Sequence, residues 1–216
     1  LDLSRDEVCN AVIEMLTNVL KSAPISYVKW DMNRNMTEIG STAWPAKKQK
    51  EIAHRYMLGL YKILENITSN FPNILFESCS GGGGRFDGGI LYYMPQTWTS
   101  DDTDAIERLM IQEGTSLVYP TSSMGSHVSA VPNHQVHRIT PLNTRGVVAM
   151  AGSFGYELDV TKMNEEEKEE VKKQVEFYKN IRSTVQFGDL YRLKSSFDSN
   201  EAAWMNLSKD SNNLVV

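Results

Sequence analysis

The chain has 216 residues, of which 41% are hydrophobic and 23% are charged, and it carries a net charge of −5. This composition is ordinary for a globular protein with a hydrophobic core. The negative charge offers no basic surface for nucleic acid or an anionic membrane, and no apolar run reaches the roughly 20 residues that a membrane span needs. We therefore predict no nucleic-acid partner and no membrane partner.

Helical and strand-like segments alternate along the chain as far as residue 187. The predicted helices cover 2–21, 45–69, 86–93, 103–113, 141–151 and 164–187. The predicted strands, which are short and run into polar or glycine-rich residues, cover 25–31, 74–79, 96–100, 116–119 and 154–158. Beyond Gly188 the pattern becomes β-like, with strand segments at 190–196, 202–207 and 214–216.

Two local signals refine this pattern. Ser4 followed three residues later by Glu7 predicts a capping box at the start of the first helix. The residues at 120–139 read as a long loop that holds His127, His134 and His137.

The regular alternation favours an α/β fold with a parallel sheet. In a (β/α)8 barrel the active site is built from the loops that follow the strands, and the polar residues of this chain occupy those loops. Five strand–helix units are fewer than the eight of a closed barrel. We therefore predict a partial (β/α)8 TIM barrel, about strands 4 to 8, over residues 1–187, followed by the start of an antiparallel β domain over 188–216. We expect both ends to be cut.

The two cysteines, Cys9 and Cys79, are too few for a disulfide framework and favour a reducing compartment. We predict a cytoplasmic location. Because the first residue is Leu and a helical pattern begins almost at once, the lack of a signal peptide does not decide the location.

Acidic residues end two of the predicted strands. Tyr27, Lys29 and Asp31 share one strand face, expected to be buried, where Lys29 and Asp31 form either a structural ion pair or part of a catalytic site. Asp101 ends another strand, with one strand between, so the two carboxylates should converge. Glycoside hydrolysis needs such a pair.

The neighbouring charges assign roles to this pair. Lys29 favours the ionised form of Asp31 and so predicts Asp31 as nucleophile, which leaves Asp101 as the acid/base. Asp102 or Asp104 fits the N-terminus of the following helix, where a carboxylate caps free N–H groups.

Other polar groups are less specific. Four glycines at 81–84 match neither phosphate-binding motif and more simply let a ligand approach the backbone. Cys79 either lines the pocket or is a buried, inert thiol. His134 and His137 lack the zinc signature, so we predict no metal.

Four segments together resemble the microbial α-galactosidases of glycoside hydrolase family 36. They are YVKWDMNR at 27–34, ESCSGGGGRFD at 77–87, TWTSDDTDA at 97–105 and MGSHVSAVPN at 124–133. The resemblance implies a retaining α-galactosidase that acts on melibiose- and raffinose-type oligosaccharides through a covalent galactosyl-aspartate, without a metal or organic cofactor. It implies Asp31 as nucleophile and Asp101 as acid/base. It also implies that the sugar is contacted by Lys29, Asn33, Cys79 and Gly82.

The chain departs from this family in extent. Family members carry a β-sandwich before the barrel, a β-sheet domain after it, and a Trp-x-x-Asp-Asp-type motif on an earlier strand that grips the galactose. The sequence has neither the β-sandwich nor this motif and only the start of the later β domain, so we expect an active parent protein but a weak or inactive isolated chain.

Three other functions stay open at this point. The same two aspartates would serve a galactosyl transferase of the raffinose-synthase kind or an α-N-acetylgalactosaminidase. Alternatively, the chain is a non-catalytic assembly fragment. Because open sheet edges associate readily, we also predict a homo-oligomer.

Overall fold

The computed structural model describes residues 1–34 and 36–216, so one residue between the predicted strand at 25–31 and the predicted helix at 45–69 lies outside the described residues. Helices α1–α6 are Asp6–Lys21, Ile52–Asn70, Gly88–Tyr93, Ala105–Ser116, Leu142–Ala149 and Glu165–Phe187. Strands β1–β8 are Tyr27–Asp31, Leu75–Cys79, Gln96–Trp98, Met124–Ser129, Ser153–Glu157, Asp189–Lys194, Ala203–Leu207 and Leu214–Val215. Short 3-10 turns cover Ala46–Glu51, Thr121–Ser123 and Val160–Lys162.

The first five strands form one parallel sheet in the order β1-β2-β3-β4-β5, which curves into half of a barrel. A separate three-stranded antiparallel sheet, β6-β7-β8, follows. The predicted α/β class with a partial barrel and a following antiparallel segment is thus confirmed at this level. Because all five strands run the same way, their carboxyl ends lie at one rim of the half-barrel.

The hydrophobic core lies between helices α1 and α2 and the outer face of β1 and β2. Ile63, Leu64 and Ile67 of α2 are completely buried there. Val28 and Trp30 of β1 pack against the same cluster. Since side chains alternate along a strand, the intervening Lys29 and Asp31 must point to the opposite, concave face.

The concave face is more open than the sequence suggested. Lys29 and Asp31 are both exposed, so the prediction that they lie on a buried side is wrong for this chain. Among the described residues, the helices pack on the convex face and leave the concave face of β1 open. In the same described part of the chain, no helix is both long and apolar enough to cross a membrane.

The predicted capping box of the first helix is also wrong. Helix α1 begins at Asp6, and its N-cap is Arg5, which makes no side-chain capping bond. The Ser4 hydroxyl instead donates to Asp2 at 2.5 Å and accepts a bond from the Trp44 indole at 3.0 Å. These bonds to other segments replace the local cap.

One predicted strand was misplaced. Residues 116–119 end helix α4 and form a turn in which Leu117 and Val118 are 66% and 76% exposed. The strand is Met124–Ser129, inside the predicted loop, and it carries His127. This strand contains Gly125 and small polar residues and pairs with a strand on each side, β3 and β5. It is therefore buried by its neighbours although its sequence has no apolar alternation.

Candidate active site

Asp31 is the last residue of β1 and lies at the rim where the strands end. Its Oδ1 accepts the backbone N–H of Met32 at 2.8 Å, and its Oδ2 accepts the side-chain amide of Asn33 at 2.8 Å. Cys79 is its partner across the parallel pair with β2, and its thiol lies close enough to help lower the pKa of Asp31. Two donors from the residues that follow β1 therefore fix this carboxylate.

The surroundings of Asp31 keep it ionised. Desolvation by burial acts to raise the pKa of Asp31, but the hydrogen bonds from Cys79, Asn33 and Met32, together with the charge of Lys29, outweigh it and lower this pKa. A carboxylate with a lowered pKa needs no proton removed at neutral pH before it can act as a nucleophile.

Asp101 lies at the same rim, but the prediction that it ends a strand is wrong, because β3 ends at Trp98 and Asp101 follows in the loop with its side chain exposed. A series of contacts connects it to Asp31. The Asn33 amide that donates to Asp31 accepts the Gly81 N–H through its oxygen at 2.7 Å. A Cβ on Gly81 would lie 4.0 Å from both Asn33 Oδ1 and Asp101 Oδ2. The structure thus brings Asp31, Asn33 and Asp101 around one glycine.

Gly82 joins the loop after β2 to the loop after β3. It forms an isolated β-bridge with Ser100, the residue that precedes Asp101. It has a φ of +85°, and a Cβ at this position would lie 2.4 Å from Ser100 Cα. Only glycine combines this conformation with this close approach.

We expect Gly82→Ala to disturb this contact and lower the free energy of unfolding of the chain by about 1–3 kcal/mol, because the new methyl group must displace the Ser100 backbone. Denaturant unfolding followed by circular dichroism measures the change. Gly88→Ala is the matched control, since a Cβ there meets nothing within 4 Å. Equal unfolding midpoints for the two variants would contradict this role of Gly82.

Cys79 is a buried, free thiol beneath Asp31. Burial raises the pKa of the Cys79 thiol, and the neighbouring Asp31 carboxylate also favours the protonated form. Cys79 is therefore a protonated thiol beside a carboxylate and a poor nucleophile.

Of the acidic residues after β3, Asp104 is the helix cap. Its carboxylate accepts the N–H groups of Ile106 and Glu107 at 2.9 and 3.2 Å at the start of α4. The prediction that Asp102 or Asp104 caps this helix is confirmed for Asp104. Asp101 is left without a capping role.

Lys29 lies two residues below Asp31 on the concave face. Its Nζ is 3.7 Å from Glu77 Oε1 on β2 and 4.7 Å from the centroid of the Trp98 ring. Sequence reasoning placed Lys29 on the face of Asp31 but missed its partner. The alternation of side chains could have indicated Glu77 as this partner, because Glu77 precedes Cys79 by two residues and lies on the same face of β2.

Arg85 is a second residue that the sequence reasoning left without a role. Its guanidinium donates to the carbonyl oxygens of Trp30 at 2.7 Å and Cys79 at 3.2 Å. These carbonyls belong to the ends of β1 and β2. Arg85 therefore ties together the two strands that carry Asp31 and Cys79.

The backbone after Asp101 is anchored at Thr103. The Thr103 N–H donates to Gln135 at 3.1 Å, its hydroxyl accepts from Asn133 at 3.0 Å, and its carbonyl accepts from Ser129 at 2.7 Å. All three partners lie on β4 or in the loop that follows it.

The three histidines do not converge. His127 lies on β4, stacks on Trp98 at 4.7 Å between centroids and pairs with Glu157 at 3.8 Å, whereas His134 and His137 are exposed in the following loop. Within residues 1–34 and 36–216, no group of three or more His, Cys, Asp or Glu side chains could hold a metal ion.

Known proteins similar to this chain share one description. Residues 1–188 match the sequence profile of the Melibiase family. The chain is 67% identical over its whole length to alpha-galactosidase AgaA of Geobacillus stearothermophilus, of which it covers 30%. It is 56% identical over its whole length to an alpha-galactosidase of Lactobacillus acidophilus, of which it covers 29%.

Solved structures agree. Crystal structures of variants of the Geobacillus protein in complex with raffinose and with stachyose match 97% of this chain with a TM-score of 0.95 at 68% identity. The match covers 29% of that chain. The present chain therefore spans under a third of the length of these relatives.

Proposed function

This chain belongs to the melibiase family, and from that premise we propose that it carries the catalytic aspartates of a retaining α-galactosidase. Asp31 is the nucleophile and Asp101 is the acid/base. The observation that carries the proposal is the Asp31 carboxylate at the end of β1, which accepts hydrogen bonds from Met32 and Asn33 and is linked through Asn33 and Gly81 to Asp101.

The reaction proceeds in two displacements. Asp31 attacks the anomeric carbon, the bond to the leaving oxygen breaks, and Asp101 donates its proton to that oxygen. Asp101, now a carboxylate, then takes a proton from water as the water oxygen attacks the anomeric carbon and releases Asp31. The resulting galactose keeps its α configuration.

The solved relatives support this pair. The raffinose and stachyose complexes of the Geobacillus protein each carry a substituted aspartate, and the two aspartates are 70 positions apart in that protein. Asp31 and Asp101 have the same separation. Raffinose and stachyose also support α-galactosyl oligosaccharides of the melibiose and raffinose type as substrates.

Lys29, Asn33, Cys79 and Gly82 are proposed to surround the sugar. Lys29 and Asn33 present a cation and an amide on the open face beside Asp31. Cys79 and Gly82 act from the neighbouring strand end, where Gly82 also positions Asp101.

We propose that the five parallel strands are about strands 4 to 8 of the barrel, with residues 188–216 beginning the next domain. The rest of the barrel would come from other parts of a longer protein, called the full-length protein below. A cytoplasmic location and a homo-oligomer stay predictions, as does the weak activity of the isolated chain.

Labelling with a galactosyl fluoride in which fluorine also replaces the hydroxyl at C2 tests the proposal. The fluorine slows release of the covalent intermediate, so the nucleophile stays labelled and peptide mass mapping locates it. We expect the label on the peptide containing Asp31 in the full-length protein and little or no label in the isolated chain. A label on any other residue would overturn the assignment, and rapid turnover by the isolated chain would show that the missing strands are unnecessary.

A further inference from the structure

We propose that Glu77 is a positioning residue of this site, whose buried carboxylate holds the exposed Lys29 ammonium group at the floor of the sugar pocket. The inference rests on the proposed function, because it needs a sugar bound above Lys29. Glu77 itself lies below the pocket and contacts no substrate.

The two carboxylate oxygens of Glu77 are used differently. Oε2 accepts hydrogen bonds from the Tyr27 hydroxyl and, at 3.1 Å, from the Gln96 amide. Oε1 lies 3.7 Å from Lys29 Nζ and has no hydrogen-bond partner among the described residues. One oxygen is thus fixed by neighbouring strands, and the other is left facing the lysine.

The pair is asymmetric in exposure. The side chain of Glu77 is 2% exposed, whereas that of Lys29 is 39% exposed and reaches into the open concave face. A buried carboxylate is costly, and a buried ion pair is weak support for stability compared with apolar packing. A role in holding the exposed ammonium group accounts for keeping this costly carboxylate.

Trp98 provides the second contact that positions the Lys29 ammonium group. Its ring centroid lies 4.7 Å from Lys29 Nζ, within the range of a cation–π contact. The ammonium group therefore has Glu77 on one side and an aromatic face on another. The ammonium group lies on the open face, two residues from Asp31 along β1, and its remaining N–H groups can bind sugar hydroxyls.

This arrangement connects activity to the protonation of Glu77. The groups that face it are Lys29 and Tyr27 on β1, Gln96 on β3, His127 on β4 and Glu157 on β5. Burial raises the pKa of Glu77, while the pKa of Asp31 is lowered. As the pH falls, Glu77 therefore takes up its proton before Asp31 does and releases Lys29 while the nucleophile is still ionised.

The acidic limb of the pH profile of kcat/KM distinguishes this role from a purely structural one. In the full-length protein acting on a nitrophenyl α-galactoside, we expect Glu77→Gln to lower kcat/KM about 10- to 100-fold near neutral pH. The acidic limb should move to lower pH, because the group that titrates first is gone. Tyr27→Phe should move it to higher pH, because Glu77 loses a donor to its ionised form.

A double-mutant cycle tests whether Glu77 acts through Lys29. Lys29→Met should cost much less in the Glu77→Gln background than in the wild type. Glu169→Gln is the control: Glu169 also pairs with a lysine, Lys172, but on the exposed face of α6. This variant should leave kcat/KM and the pH profile unchanged.

The outcomes separate the two proposals. Suppose that the wild type is active. If all variants then share its acidic limb, or if the losses from Lys29→Met and Glu77→Gln add fully, the role of Glu77 is overturned and the proposed function is not. A wild type without activity on α-galactosides overturns the proposed function and this inference with it. If Glu77→Gln does not fold, Tyr27→Phe gives the decision. A shift of its acidic limb to higher pH supports the inference, and an unchanged acidic limb overturns it.

Discussion

Replacing Asp31 with asparagine in the full-length protein is expected to lower kcat on melibiose at least about a thousandfold, since the proposed covalent bond to the sugar forms on its carboxylate oxygen. The amide keeps the size of the carboxylate but lacks its charge. Steady-state kinetics measure the loss. Asp159→Asn is the control, because Asp159 also follows a strand of the half-barrel but has its contacts to Thr161 and Lys162 in the 3-10 turn that it caps.

A smaller side chain makes this test sharper. In Asp31→Gly, azide can occupy the place of the missing carboxylate and attack the anomeric carbon. We expect it to restore turnover and to yield the β-galactosyl azide, because a single displacement inverts the configuration. Full activity of Asp31→Asn, or an α-galactosyl azide from Asp31→Gly, would contradict the nucleophile assignment.

The loss of kcat/KM in Asp101→Ala is expected to depend on the leaving group of the substrate. Melibiose needs a proton on its leaving oxygen, so its kcat/KM should fall about 10²- to 10⁴-fold. A nitrophenyl galactoside, whose leaving group is a weak base, should lose much less in the first displacement. Comparing kcat/KM for the two substrates gives the result.

The anomer formed with azide again provides a second readout. In Asp101→Ala, azide should intercept the galactosyl-enzyme and yield the α-galactosyl azide, the opposite anomer from that expected with Asp31→Gly. Asp102→Asn is the control, since Asp102 accepts the Asp104 N–H at 3.1 Å beside the site. Equal losses on both substrates in Asp101→Ala would rule out the acid/base role.

The parallel half-barrel was predictable because its strands and helices alternate in a regular order. Strand β1 was also readable, since Val28 and Trp30 are apolar and alternate with polar residues. Strand β4 was not, because Gly125 and its small polar neighbours carry no apolar pattern. Their burial depends on adjacent strands, which local sequence does not describe.

The positions of Asp31 and Asp101 followed from one rule, that parallel strands end at a common rim. The contacts that set their chemistry did not follow from it. The pairing of Lys29 with Glu77, and of Asp31 with Cys79, depends on the register between β1 and β2. Register arises when two distant segments meet, so a single strand read alone does not contain it.

The anchoring of Thr103 has a consequence for how such enzymes diverge. The backbone beside Asp101 is held by Ser129, Asn133 and Gln135, about thirty residues further along the chain. Recombination that exchanged only the segment around Asp101 would separate it from its supports. The two segments are therefore inherited best as a unit, and a breakpoint between them is disfavoured even though it spares both aspartates.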